Sequence, residues 1–291
     1  MPLNDVTATP LPRLAPRRAD SHKGDYGRAL VVGGSRGMSG AIALAGLGAL
    51  RSGAGLVTLA VPRVVQDVVA SFNPSYMTHG LADDGQRYVA AAADDVLALA
   101  AGMTALALGP GLGRTPAVTE FVARLYCEVT QPMVVDADAL FALAERPDAV
   151  RSAGGPRIIT PHPGEFARLT GTTPHTDDQS RRIAAGELAS ASGASATIVV
   201  LKGHRTVVTD GSRVSINQTG NPGLATGGVG DVLTGVITAL LCQGLAPFDA
   251  ARLGVHVHGL AGDLAAEKLG QVSLIASDLV DFLPAAFQNV A

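Results

Sequence analysis

The sequence has no tryptophan, only two cysteines, and little charge: 16% of its 291 residues are Asp, Glu, Lys or Arg, and 4% are aromatic. Each scarcity excludes something. Cys127 and Cys242 are too few for a disulfide framework or a cysteine-built zinc site, and they fit a reducing, cytoplasmic setting. A formal net charge of -3 leaves no basic footprint for nucleic acid. No uninterrupted apolar run reaches the ~20 residues a membrane span requires. The stretch from Gly37 to Val61 comes nearest, but Arg51 sits inside it among glycines and Pro62 ends it, so it reads as a helix followed by a strand. Met1 to Ser21 carries four prolines and three arginines without an apolar segment. It is therefore no signal peptide, and residues 1–22 read as a flexible tail or surface arm.

What is present is apolar and small. Hydrophobic residues make up 47%, with 35 glycines, and the mean hydropathy is +0.28. Such a chain has material for a large, closely packed core and is not disordered throughout.

Strand and helix patterns alternate along it. Strands are predicted at Arg28–Val32, Leu56–Val61, Thr104–Leu108, Met133–Asp136, Arg157–Thr160 and Thr197–Lys202. Between them, helices are predicted at Ser39–Leu50, Arg87–Ala100, Pro116–Val129, Ala139–Ala144 and Asp177–Ser192. Thr206–Thr209 and Arg213–Ile216 then flank Asp210-Gly211, a hairpin signal. Three helices close the chain: Asp231–Gln243, Pro247–Lys268, and Ser277 to the C-terminus. This order implies a mostly parallel central sheet with helices on both faces, and no linker or repeat divides it. One domain, 23–291, is expected. In such sheets ligands bind beyond the carboxyl ends of the strands, so the loops after the strands are where chemistry is sought.

Two phosphate-binding designs are missing. No Gly-Lys pair occurs, which excludes a Walker loop. Neither Gly33-Gly34-Ser35-Arg36-Gly37 nor Gly109-Pro110-Gly111-Leu112-Gly113-Arg114 completes the dinucleotide fingerprint. The strongest element is Asn221-Pro222-Gly223-Leu224-Ala225-Thr226-Gly227-Gly228-Val229-Gly230-Asp231. Glycines at 227, 228 and 230 let backbone amides crowd an anion, and the following helix presents its free N–H groups to the same place. Asp231 then has two readings. It is a helix cap, or it is a base that accepts a proton from an attacking hydroxyl and is kept ionised by its neighbours. A lone Gly-x-Gly-Asp favours the cap; the whole eleven-residue loop favours the base.

That loop resembles the anion-hole segment of the ribokinase-like superfamily. The chain from about His22 onward is similar to the ADP-dependent NAD(P)H-hydrate dehydratase family, a carbohydrate-kinase-like group. The resemblance rests on seven motifs in order. These are Lys23-Gly24-Asp25-Tyr26-Gly27, Gly33-Gly34-Ser35 with Met38-Ser39-Gly40-Ala41, Gly109-Pro110-Gly111-Leu112-Gly113, and Asp136-Ala137-Asp138-Ala139-Leu140. Then follow Thr160-Pro161-His162-Pro163-Gly164-Glu165-Phe166, Lys202-Gly203 with Thr206, and the anion-hole loop.

The resemblance implies a ribokinase-like three-layer α/β/α fold and dehydration of the S epimer of hydrated NADH or NADPH. ADP would be the phosphoryl donor, with ATP as an alternative and Mg²⁺ accompanying the nucleotide. It implies catalytic roles for Asp231, Gly228 and Gly230. Nucleotide contacts are implied for Lys202, Gly203, His204, Arg205, Thr206, Asn221, Gly227, Gly228 and Gly230. Contacts to the hydrated dinucleotide are implied for Ala41, Gly111, Gly113, His162, Glu165 and Asp231. It also implies a homo-oligomer, a tetramer by preference, and a separate epimerase for the other hydrate epimer, since only about two dozen residues precede the first motif.

Alternatives stand beside these roles. Lys202-Gly203 is also a plain solvated turn, and His162 is equally a cap or packing histidine. Asp136 and Asp138 either touch Mg²⁺ through water or cap the next helix, with the cap favoured for Asp138. No protein-held metal is expected; His256 and His258, two apart on a predicted helix, share no face. A vitamin-precursor kinase of the same superfamily and a non-catalytic nucleotide sensor are the rival functions.

Overall fold

The computed structural model describes residues 3–174, 176–191 and 197–290. Ten strands form one sheet: β1 (Asn4–Asp5), β2 (Arg28–Val32), β3 (Leu56–Pro62), β4 (Met77–Leu81), β5 (Ala105–Leu108), β6 (Met133–Val135), β7 (Arg157–Ile159), β8 (Thr197–Leu201), β9 (Val207–Thr209) and β10 (Arg213–Ile216). Their order is β1-β10-β9-β8-β7-β6-β5-β2-β3-β4. From β4 to β8 every pairing is parallel, and β9 runs antiparallel to both neighbours. The chain winds one way from β2 through β3 to β4, then crosses back to β5 on the other side of β2. The β2–β5 boundary is therefore the point where the winding reverses, which opens a crevice at the strands' carboxyl ends.

The strands are buried on both faces, as their near-continuous Val, Leu, Ile and Ala runs require. Along β2, Ala29 and Val31 join one core while Leu30 and Val32 join the other. On the first face lie α1 (Ser39–Arg51), α2 (Gln66–Phe72), α9 (Val229–Cys242), α10 (Pro247–Leu269) and α11 (Ala276–Gln288). On the second lie α3 (Ala92–Ala100), α4 (Pro116–Glu128), α5 (Asp138–Ala144), α6 (Pro147–Val150), α7 (Pro163–Thr170) and α8 (Asp178–Ala191). Helices α1 and α9 cross backbone to backbone. A Cβ on Gly48 would sit 2.6 Å from the Val232 carbonyl oxygen, and one on Gly235 would sit 1.9 Å from that of Ala45. Glycine at both crossing points is what seats α9, and the acid it carries, deep against the sheet.

Several expectations change. In the N-terminal stretch, read as a flexible tail or surface arm, Asn4–Asp5 extend the sheet beside β10. Beyond that strand, Thr7 Oγ1 accepts from Ile216 N at 3.0 Å. Arg17 lies 3.8 Å over the Tyr26 ring. Edge strand β4 and the short helices α2, α6 and α7 are additions. The helix expected from Arg87 starts at Ala92, because Tyr88 first bridges back to Asp83. The helix expected from Asp231 starts two residues earlier, at Val229. Ser192 and Ala291, at the ends of two predicted helices, lie outside the described residues. No helix among the described residues is long and apolar enough to cross a membrane.

Candidate active site

The loops after β6, β7 and β8 meet the first turn of α9. Asp136, following β6, is 1% exposed. Its Oδ1 accepts from Lys202 Nζ at 2.7 Å and its Oδ2 from Thr234 Oγ1 at 2.9 Å. Lys202 leaves the end of β8, and its Nζ also lies 3.8 Å from Glu165 Oε2. Burial by itself would lower the Lys202 ammonium; Asp136, Glu165 and Asp231 together outweigh it and hold the group above its ordinary value. The turn is exposed at Gly203 and His204, while its lysine is turned inward and ion-paired with Asp136.

His162 and Glu165 form a reciprocal cap at the start of α7. The ring Nδ1 accepts from Gly164 N at 3.0 Å and Glu165 N at 3.3 Å, while Glu165 Oε2 accepts from His162 N at 2.8 Å. Capping thus fixes the imidazole's tautomer, with its proton on Nε2. Burial, then the nearby Lys202 charge, lowers the His162 pKa. Burial pushes Glu165 up to about 7, against the pull of Lys202.

Asp231 occupies the first turn of α9 and does not cap it; the cap position is Gly228, at φ 89° and without a side-chain hydrogen bond. Burial raises Asp231 to about 7, reinforced by the carboxylates of Asp136, Asp138 and Glu165 and opposed by Lys202. The expectation that its neighbours keep it fully ionised is corrected: three acids surround it and one lysine offsets them. A pKa near neutrality still suits a base that must both take and release a proton.

A cavity of about 660 Å³ opens beside this cluster. Lys202, Gly203, His204, Arg205 and Thr206 line one side, and Asn221, Thr226 and Gly230 another, with His162 at its edge. Gly227 and Gly228 lie off this wall, as do Asp231, Ala41, Gly111, Gly113 and Glu165; Asp231 adjoins it through its chain neighbour Gly230. Of these, Ala41 and Gly111 pack together at the winding reversal: a Cβ on Gly111 would meet the Met38 carbonyl oxygen at 2.6 Å and Ala41 Cβ at 3.1 Å. Asp138 does not cap α5. It accepts from Gly113 N at 2.9 Å and Arg114 Nε at 2.8 Å, tying the loop after β5 to the site. A Cβ on Gly228 would point at Leu44 and Ala276, 2.6 and 3.0 Å away, whereas one on Gly227 would meet nothing within 4 Å.

Some supporting residues gave no sequence signal. Arg181, 6% exposed, donates to the carbonyls of Leu201, Lys202, His204 and Arg205 and so shapes the whole turn after β8. Asp263 accepts from Gly220 N at 2.8 Å and Asn221 Nδ2 at 2.9 Å, fixing the start of the glycine loop. Buried His258 donates to Val229 O at 2.9 Å, and burial lowers it to about 4, so it is a neutral anchor for α9. Each is a single polar residue within a helix, with partners distant in sequence; only Thr234, three residues past Asp231 on the same helix face, carried a hint.

A family model described as NAD(P)H-hydrate dehydratase matches residues 29–285. The bifunctional NAD(P)H-hydrate repair enzyme Nnr of Moorella thermoacetica is 48% identical over 96% of this chain and 52% of its own length. The same-named protein of Thermofilum pendens is 41% identical over 97% of this chain and 53% of its own. The chain thus spans about half the length of these curated relatives. Among solved structures, the ADP/ATP-dependent NAD(P)H-hydrate dehydratase of Bacillus subtilis, co-crystallised with ATP and Mg²⁺, superposes with a TM-score of 0.79. It is 34% identical, over 96% of this chain and 95% of that one.

Proposed function

Because the chain belongs to the NAD(P)H-hydrate dehydratase family, we propose that it dehydrates the S epimer of hydrated NADH and NADPH at the expense of a nucleotide, restoring the reduced dinucleotide. ADP is the proposed donor and ATP the alternative. The observation that carries this reading is the juxtaposition of three parts. A cavity is walled by the Lys202 turn and the glycine loop, helix α9 opens behind that loop, and Asp231 sits in its first turn.

The chemistry follows from what those parts supply. The substrate hydroxyl sits on a ring carbon next to nitrogen, and hydroxide is a poor leaving group. Asp231 takes the hydroxyl proton as that oxygen attacks the terminal phosphorus of ADP, and AMP departs. The amides around Gly227, Gly228 and Gly230 hold the charge that develops on the transferring phosphoryl. The ring nitrogen lone pair then expels phosphate, and loss of the neighbouring carbon's proton restores the double bond. Magnesium enters as the companion of the nucleotide phosphates. Among the described residues no group of three or more His, Cys, Asp and Glu is placed to hold a metal ion, and both Asp136 oxygens are engaged by Lys202 and Thr234, so the ion would be held by the nucleotide's own phosphates. The ion's chemistry when bound is to screen phosphate charge.

The same reading calls for a partner activity that interconverts the two hydrate epimers. It also places the chain in the cytoplasm as a homo-oligomer, for which the half-exposed apolar row of Val64, Val68, Phe72 and Met77 offers a surface. The test is phosphorus NMR of the protein with hydrated NADH and ADP. Equal amounts of AMP, phosphate and NADH are expected; no reaction there, with a phosphorylated alcohol formed when a thiazole or pyrimidine alcohol and ATP are supplied instead, would mark a vitamin-precursor kinase.

A further inference from the structure

Asp136 has no part in the steps above, yet it is the most deeply buried acid beside the cavity and both its oxygens are committed. Burying a carboxylate is unfavourable unless it is paired and hydrogen-bonded. Here the two partners come from different elements, Lys202 from the turn after β8 and Thr234 from α9. Thr234 follows Asp231 by three residues, so the two share a face of the helix. The backbone at Asp136 is itself constrained. Ala137 adopts φ 53° and ψ -123°, which L residues rarely do, and a Cβ on Gly109 would lie 1.9 Å from the Asp136 carbonyl oxygen.

We propose that Asp136 is a positioning residue: its carboxylate clamps Lys202 to α9, so that the Asp231 carboxylate and the Lys202 ammonium meet the reacting phosphoryl from fixed places. The rate consequences rest on the dehydratase reading; the clamp itself is a property of the resting protein. The charged groups that act on Asp231 are Asp136 before α5, Asp138 at its start, Glu165 in the first turn of α7 and Lys202, with His162 beside Glu165. Helix α10 adds His258, which is neutral and bound to Val229 O. Arg114 stands behind Asp138, paired with it at 2.8 Å. Lys202 is the cation that opposes the acids around the base, and Asp136 holds it.

A clamp of this kind has signed consequences. Asp136→Asn removes a neighbouring negative charge and frees Lys202 to turn to Asp231; both effects favour the ionised base. Lys202→Met removes the positive charge and favours the protonated acid. A residue needed only for folding would not move Asp231 in opposite directions in the two variants.

The experiment is a carbon-13 NMR titration of Asp231 in nucleotide-free protein, assigned by its loss in Asp231→Asn. Asp136→Asn is expected to move its midpoint down, and Lys202→Met up, by about one pH unit each. Midpoints that stay put, or move the same way, in folded variants would overturn the proposal. Should Asp136→Asn not fold, Thr234→Val decides without changing charge. It is expected to lower kcat about 10-fold with the nucleotide KM unchanged, and Thr234→Ser to restore it; full kcat in Thr234→Val would overturn the clamp. Absence of turnover in the unmodified protein would count against the dehydratase reading, while the titration would still decide the clamp.

Discussion

Two stretches of this chain are built alike. In His22-Lys23-Gly24-Asp25, the ring Nδ1 accepts from Gly24 N at 3.1 Å and Asp25 Oδ2 accepts from His22 N at 2.9 Å. In His162-Pro163-Gly164-Glu165 the same exchange opens α7. Their surroundings differ. The first pair is at the surface, with side chains 74% and 38% exposed. In the second, His162 stays 57% exposed, but Glu165 is only 14% exposed and lies 3.8 Å from Lys202. Local sequence makes the cap in both places; the sheet decides which one meets Lys202. β7 and β8 are neighbours, so the loop after one delivers a carboxyl to the lysine after the other. His22 precedes β2 and enters the sheet at its opposite, amino end.

The largest effect is expected at the acid both caps lack. Asp231→Asn should cut turnover by roughly 10³-fold, the scale of a lost general base, with the melting temperature nearly unchanged, while Asp25→Asn at the surface cap should leave the rate intact. Steady-state rates and thermal melts on both variants check this. Next comes Glu165→Gln, which keeps the side chain's shape but removes a charge facing Lys202. A fall of about 10-fold in kcat/KM is expected, and an unaltered value would reduce Glu165 to a cap like Asp25.

The acid limb of kcat/KM follows in size. Asp231 and Glu165 both rise to about 7 in the folded chain. A base is active when ionised, so activity should climb as pH rises through about 7 and be lost below it. A limb near pH 4, where an ordinary carboxylate titrates, would contradict the crowding of acids around Asp231. The sign for stability is the reverse. A carboxyl whose folded pKa is raised binds its proton more tightly in the folded state, so that stabilisation is present at low pH and is lost as pH rises through about 7. The smallest effect is common to both caps: His22→Ala and His162→Ala should each cost about 1 kcal/mol of unfolding free energy. His162→Asn, which caps as well, should keep its turnover. A large loss there would show that the ring handles a proton besides holding the helix.

The legible parts of the fold are those whose environment repeats along the chain. Arg28–Val32, Leu56–Val61 and Thr197–Lys202 read as strands because burial on both faces demands unbroken apolar runs. Met77–Leu81 does not, since an edge strand containing His79 and Gly80 carries no such run, and its outer residues face solvent. The arm at Asn4–Asp5 is set by pairing with β10, some two hundred residues away in sequence, which no local pattern encodes. In the candidate site, the glycine loop and Asp231 stand out because a run of bare backbone followed by an acid is a local pattern. Asp136 and Asp138 were visible as residues but not as roles: one holds Lys202 and Thr234, the other the loop after β5, and neither caps a helix or was distinguishable from a cap by spacing. Arg181 and Asp263 were silent, because a buried polar residue that organises distant backbone looks in sequence like any charged helix position.

If the Lys202 turn, the glycine loop and Asp231 form one nucleotide-driven dehydration site, absorbance near 340 nm reports it when the protein is added to purified hydrated NADH with ADP, with ATP, or with neither. Absorbance should then return only when a nucleotide is present, and roughly 10³-fold more slowly in Asp231→Asn. Recovery without nucleotide, or undiminished recovery in that variant, would contradict it.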